Sequence, residues 1–260
     1  MAEQDMEPER GNEELWYHVF AVGAGDLLDQ RGFHSRLPSP PRCRLCKVPF
    51  QGLGGLILRF RGKSRAKRNP NYCSACDQFL AANPGGAEVP MAILYADIRK
   101  STEFVQAHAP AEVLRRTNAF LELATRAITE NDGFVLAFYG DCVLANWPPG
   151  FSGSDYREKA VKTAEELSGA SQKAGIPVGV GLHAGTAYMC SVQANQGSFR
   201  DVSVFGEAVN IAARLSSAAA AGEVLGSAEM AEIAETKGPE QSFDLKGFND
   251  PVAAWRIGRT

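Results

Sequence analysis

Phe134-Val-Leu-Ala-Phe-Tyr-Gly140-Asp141-Cys-Val-Leu-Ala-Asn-Trp147 is two apolar runs joined by Gly-Asp. Each run is long enough for a strand, and a Gly-led two-residue link is a strong local signal for a β-hairpin. Upstream, Met91–Ala96 reads as an apolar strand ending at Asp97, and Ser101–Asn131 as a helical region interrupted near Pro110. Downstream, Asp155–Ala174 reads as a helix with Asp155 as its cap, and Val178–His183 as a strand. The resulting βαββαβ order is the ferredoxin-like split unit, an α+β fold. Val202–Phe205, a helix over Glu207–Ala220 and further short C-terminal segments extend it.

The extension holds a second informative stretch, Phe205-Gly-Glu-Ala-Val-Asn210-Ile-Ala-Ala-Arg214-Leu215. Asn210 and Arg214 stand four residues apart and so project from one helix face, while Val209, Ile211, Ala212 and Leu215 supply apolar positions. An amide beside a guanidinium suits a ribose and a phosphate in transit. The spacing fits equally a helix whose solvated face simply carries Asn and Arg.

Taken in order, the strand ending in Asp97-Ile98-Arg-Lys-Ser101-Thr102, the hairpin carrying Asp141, Val178-Gly-Val-Gly-Leu-His183-Ala-Gly185, the Asn210/Arg214 helix and Phe243-Asp-Leu-Lys246-Gly247 resemble the class III nucleotide cyclase catalytic domain. The resemblance runs from about Met91 to Ile257. It implies attack of a ribose 3′-oxygen on its own α-phosphate, with pyrophosphate leaving. Asp97, Asp141 and the Ile98 carbonyl are the implied ligands of two Mg²⁺ or Mn²⁺ ions, hard cations that take oxygen donors. Ser101 and Thr102, at a helix start, offer backbone N–H groups to phosphate oxygens. By the same resemblance Asn210 orients the ribose, Arg214 stabilises charge on the five-coordinate phosphorus, and Lys246 holds the terminal phosphates. In this family the Asp pair and the Asn/Arg/Lys set come from opposite subunits, which implies a homodimer with two equivalent sites and an inactive monomer.

The base-reading positions depart from the family pattern. Ala137 stands where adenylyl cyclases usually carry a lysine that meets the purine edge, and Ser203 occupies the companion position. Losing that lysine removes a charged hydrogen bond worth about 1.5–3 kcal/mol. Tyr95, beside Asp97, is available to stack on a base, and reads equally as a core strand residue. ATP to cyclic AMP follows from the family; a pyrimidine cyclase making cyclic CMP or cyclic UMP in antiviral defence is the alternative. The Glu and Cys readers usual in guanylyl cyclases are absent from both positions. A reading from another class is an inactive cyclase-like module used for binding or dimerisation.

Ahead of this domain, Cys43-Arg-Leu-Cys46 and Cys73-Ser-Ala-Cys76 form two C-x₂-C pairs, the spacing of a tetrahedral Cys₄ zinc site. Disulfides and an iron–sulfur cluster are the rival readings. The expected division is an acidic tail and short helix over 1–36, a Cys₄ zinc module over 37–85 and the cyclase domain over 86–260. Glu13 to about Leu28 reads as one amphipathic helix with Asn12 as cap, residues 1 to about 12 as disordered, and Cys142 and Cys190 as core residues. Arg59, Arg61, Lys63, Arg65, Lys67 and Arg68 make a basic loop between the Cys pairs, read as a solvated loop in preference to a nucleic-acid contact.

The chain has 260 residues, a formal charge of −3 and 45% hydrophobic residues, a soluble globular composition with no general pull toward nucleic acid. No apolar run approaches the ~20 residues of a bilayer span, and the acidic N-terminus lacks a signal-peptide pattern. The expectation is a cytoplasmic protein without membrane partners, acting through a cyclic-nucleotide receptor.

Overall fold

The computed structural model describes residues 12–38, 40–194, 199–244 and 251–258. By contacts it divides into two units, Met1–Val89 with Tyr188–Val204, and Pro90–Ala187 with Phe205–Thr260.

Elements in chain order are α1 (Glu13–Tyr17), a π-helical turn His18–Gly23, α2 (Gly25–Arg36), α3 (Gly52–Phe60), α4 (Ser74–Ala82), β1 (Gly86–Ile98), α5 (Ser101–Ala107) and α6 (Pro110–Glu130). They continue as β2 (Phe134–Tyr139), β3 (Cys142–Trp147), α7 (Pro149–Ser152), α8 (Tyr156–Lys173), β4 (Val178–Ala194), β5 (Phe199–Phe205), α9 (Glu207–Ala218), β6 (Val224–Gly226), α10 (Ala228–Ala231), β7 (Lys237–Phe243) and β8 (Val252–Ile257).

In the larger unit the strand order β2-β3-β1-β4 is the ferredoxin-like arrangement, extended by β6, β8 and β7. The hairpin forms as its sequence predicts, with β2 antiparallel to β3 and Gly140 at φ 66°, a left-handed conformation that costs Gly little. β3 also runs antiparallel to β1, pairing Leu94 with Ala145 and Ala96 with Val143. These residues pack with Phe120, Ala124 and Ile128 of α6 and Ala160, Ala164 and Leu167 of α8, forming the main core. Alternation then sends Tyr95 and Asp97 to the opposite sheet face. The break between α5 and α6 falls at Pro110, which opens α6 where its missing N–H is harmless.

Two local expectations need correction. Asp155 precedes α8 but makes no side-chain cap; its carboxylate pairs instead with Lys159 at 3.1 Å. The single N-terminal helix is three pieces, broken at Gly23–Gly25, and Asn12 donates to the Pro84 carbonyl at 2.7 Å rather than capping α1. Trp16, Val19 and Phe20 are nonetheless buried, with Trp16 Nε1 donating to the Asn83 carbonyl at 3.0 Å.

Candidate active site and metal centre

Asp97, next to last in β1, pairs with Cys142, which places it beside Asp141 at the same sheet edge. The Ile98 N–H donates to the Asp141 carbonyl at 3.3 Å, tying the two turns together. Beside them lies a cavity of about 690 Å³ whose lining includes Ile98, Ser101, Thr102, Gly140 and Asp141. Lys100 enters α5 with φ 56°, a left-handed backbone rare for a side-chain-bearing residue and common at functional turns. Two carboxylates and a main-chain carbonyl are the hard oxygen donors that Mg²⁺ or Mn²⁺ takes, so the donor set fits that pair of ions.

Two cationic side chains were not legible in advance. Arg116 of α6 lines the same cavity, with its guanidinium carbon 4.1 Å from the Phe104 ring centroid. Phe104 in turn stacks on His108, ring centroids 3.7 Å apart. Arg99 ion-pairs with Asp97 and donates to the carbonyls of Ser216 at 2.9 Å and Ser217 at 3.1 Å, at the C-terminal end of α9. A cation there complements the helix dipole and joins the carboxylate edge to α9. Nothing in the spacing of Asp97-Ile-Arg-Lys signals that second contact.

On α9, Asn210 and Arg214 are both exposed on one face, while Val209, Ala212 and Leu215 are buried behind them. The helix lies directly on β4: a Cβ at Gly181 would sit 2.1 Å from the Ser216 nitrogen and 2.2 Å from the Ala212 oxygen. Only Gly permits that approach.

Tyr95 and Ala137 both pair with Leu144, so the three form one row across β1, β3 and β2 on the sheet face that carries Asp97. Burial pushes the Tyr95 phenol up to about 12, keeping it a neutral hydrogen-bond donor. Ser203 lies half-buried on β5, in the other unit. Lys246 and Gly247 lie outside the described residues, as do residues 1–11.

In the smaller unit Cys43, Cys46, Cys73 and Cys76 are all buried, and their sulfurs lie within 4.8 Å of one another. Cys46 and Cys73 sulfurs are 3.6 Å apart, far beyond a disulfide bond and close to the ~3.8 Å edge of a tetrahedron with 2.3 Å metal–sulfur bonds. Burial pushes the Cys43 thiol up, whereas hydrogen bonds from Cys43 and the other thiols pull Cys73 down. α2 belongs to this centre: His34 Nδ1 meets the Cys46 carbonyl at 2.7 Å, and Arg31 donates to the Leu45 carbonyl. The β4–β5 arm does too. Tyr72 donates to Asp201 at 2.5 Å, Arg44 pairs with Asp201 at 3.4 Å, and Asn69 donates to the Arg200 carbonyl.

The family model for the adenylate and guanylate cyclase catalytic domain matches residues 87–253. An adenylate cyclase of Anabaena cylindrica is 34% identical over 134 residues, 48% of this chain and 26% of that protein. An uncharacterised protein of Mycobacterium tuberculosis, Rv2212, is 32% identical over 178 residues, 66% of this chain and 42% of its own length. The chain thus spans less than half the length of these relatives. Among solved structures, the adenylyl cyclase CyaB of P. aeruginosa superposes with a TM-score of 0.58 at 22% identity, covering 67% of this chain and 96% of that one. The guanylyl cyclase Cya2 superposes with a TM-score of 0.58 at 23% identity, covering 66% and 93%. At such identities these two speak to fold.

Proposed function

Because the chain belongs to the adenylate and guanylate cyclase catalytic-domain family, we propose that it converts a nucleoside triphosphate, ATP by preference, into the 3′,5′-cyclic nucleotide and pyrophosphate. The observation that carries this reading is the meeting of Asp97 and Asp141 at one sheet edge, beside the cavity lined by Ser101 and Thr102.

Asp97, Asp141 and the Ile98 carbonyl would hold two Mg²⁺ or Mn²⁺ ions, which acidify the ribose 3′-hydroxyl and offset phosphate charge when bound. The new bond runs from O3′ to the α-phosphorus, the bond from that phosphorus to the β-phosphate bridge breaks, and the 3′-hydroxyl proton passes to water. Asn210 holds the ribose so that O3′ faces the phosphorus, and Arg214 meets the charge on its equatorial oxygens. The N–H groups of Ser101 and Thr102 and the Arg116 guanidinium receive the phosphates, with Lys246 taking the terminal ones. A head-to-tail homodimer supplies Asp97 and Asp141 from one subunit and Asn210 and Arg214 from the other. Cys43, Cys46, Cys73 and Cys76 would hold one Zn²⁺, which would supply folding energy to the smaller unit when bound.

Ala137 favours a second reading, since it leaves the row with Tyr95 without a charged group for a purine edge. The loss of that charged group suits a pyrimidine, as in a cyclase of antiviral signalling. Chromatographic product analysis with ATP, GTP, CTP and UTP, under Mg²⁺ and Mn²⁺ separately, decides the matter. Cyclic AMP as main product is expected; cyclic CMP or cyclic UMP selects the second reading, and no product from any of the four overturns both.

A further inference from the structure

Helix α3 turns the usual pattern of a surface helix outside in. Gly54, Gly55 and Leu58 face inward and are buried. A Cβ at Gly55 would lie 2.8 Å from the Phe50 carbonyl carbon, so the helix sits close on the segment before it. Its large apolar side chains point out: Leu53 is 77% exposed, Leu56 51%, Ile57 56% and Phe60 86%. The spacing i, i+3, i+4, i+7 lines the four up on one face. Single exposed apolar residues are ordinary, but a contiguous stripe marks a surface made for contact.

The charge around the stripe is of one sign. From Gln30 to Cys76 the chain carries eleven Lys or Arg and no Asp or Glu, although its overall formal charge is −3. Arg59, Arg61, Arg65, Lys67 and Arg68, on and just after α3, are exposed.

We propose that α3 and the basic loop following it form a contact surface for anionic lipid, with Leu53, Leu56, Ile57 and Phe60 entering the headgroup–acyl boundary. Apolar side chains rimmed by Arg and Lys match the two layers of such a surface, acyl chains below and phosphate headgroups above. A second copy of the chain fits less well. Four side chains on a nine-residue helix fall short of the ~800 Å² per partner of a standard interface, and pairing two copies would oppose like charges. Nucleic acid would engage the basic residues but give the apolar stripe no partner. No helix among the described residues is long and apolar enough to cross a membrane, so the contact is peripheral and reversible. It departs from the expectation of no membrane partner and does not depend on the cyclase reading.

The test is co-sedimentation of the full chain with phosphatidylcholine vesicles, with and without phosphatidylglycerol. Binding only to the anionic vesicles, weakening as salt rises, is expected. The double variant Leu56→Glu/Ile57→Glu changes exposed positions only, and should bind at least about tenfold more weakly with an unchanged circular dichroism spectrum. Arg61→Glu/Arg68→Glu should lower the affinity and flatten the salt dependence. The proposal is overturned by equal or absent binding to the two vesicle types, or by full binding of the Leu56→Glu/Ile57→Glu protein. Dissociation of a dimer by those substitutions without vesicle binding, or retention of single-stranded RNA in place of vesicles, would overturn it as well.

Discussion

Asp97 stands between two partners, the Arg99 guanidinium now and a divalent cation in the proposed reaction. Asp97→Ala should therefore abolish cyclisation while the main core, to which the side chain contributes nothing, stays folded. Residual turnover within tenfold of the unaltered protein would contradict its role. In the proposed reaction Arg116→Ala would remove a charged contact to phosphate worth about 1.5–3 kcal/mol, so KM for the nucleotide should rise by roughly tenfold to a hundredfold. His183 makes a different kind of prediction. It is buried on β4, and burial holds its imidazole below the ordinary value near 6.5 although Glu229, 3.9 Å away, and Glu207 pull the other way. Since folding disfavours the protonated ring, its contribution to stability is whole above pH ~6.5 and is lost as pH falls through the lower folded value. A His183→Asn protein should show a flatter fall of Tm below pH ~6.5; an unaltered slope would show that other groups carry the acid sensitivity.

At the scale of elements, the contact between α9 and β4 decides whether Asn210 and Arg214 are presented at all. Gly181→Ala puts a methyl group against the Ser216 nitrogen and the Ala212 oxygen, backbone atoms that cannot step aside alone. Overpacking of this kind costs about 1–3 kcal/mol, and thermal unfolding should register it together with a loss of turnover that Mn²⁺ does not restore. Unchanged Tm and activity would mean that α9 does not need its close seat. The hairpin and both long helices were legible in the sequence because each rests on local periodicity or on a two-residue turn, whereas Asp97 beside Asp141 follows only once the βαββαβ order pairs β1 with β3. Arg99 and Arg116 were not, because the partners of Arg99, Ser216 and Ser217, lie across the fold, and the contact of Arg116 with Phe104 depends on how α5 turns back onto α6. The N-terminal pattern of Leu15, Trp16, Val19 and Phe20 has the spacing of one helix, yet tertiary burial of Trp16 and Phe20 coexists with a π-helical turn and a break at Gly23–Gly25. Helical spacing there predicted which residues are buried better than it predicted how the backbone runs.

For the whole molecule, the cysteine centre and the β4–β5 arm are one piece of structure, joined through Tyr72, Arg44 and Asn69 to Arg200 and Asp201. Metal analysis should find one zinc per chain, and a strong chelator should expose the four thiols to alkylation and lower Tm steeply, since structural zinc contributes about 10–16 kcal/mol in small modules. Alkylation of all four thiols without a chelator would contradict a metal-filled centre. The central claim, a cyclisation site assembled from two subunits, is tested most directly by mixing Asp97→Ala and Arg214→Ala proteins, each inactive alone. Random exchange makes half the dimers mixed, each with one intact site of two, so the account predicts recovery of about a quarter of the unaltered activity. No recovery under conditions where exchange between subunits is demonstrated would contradict it.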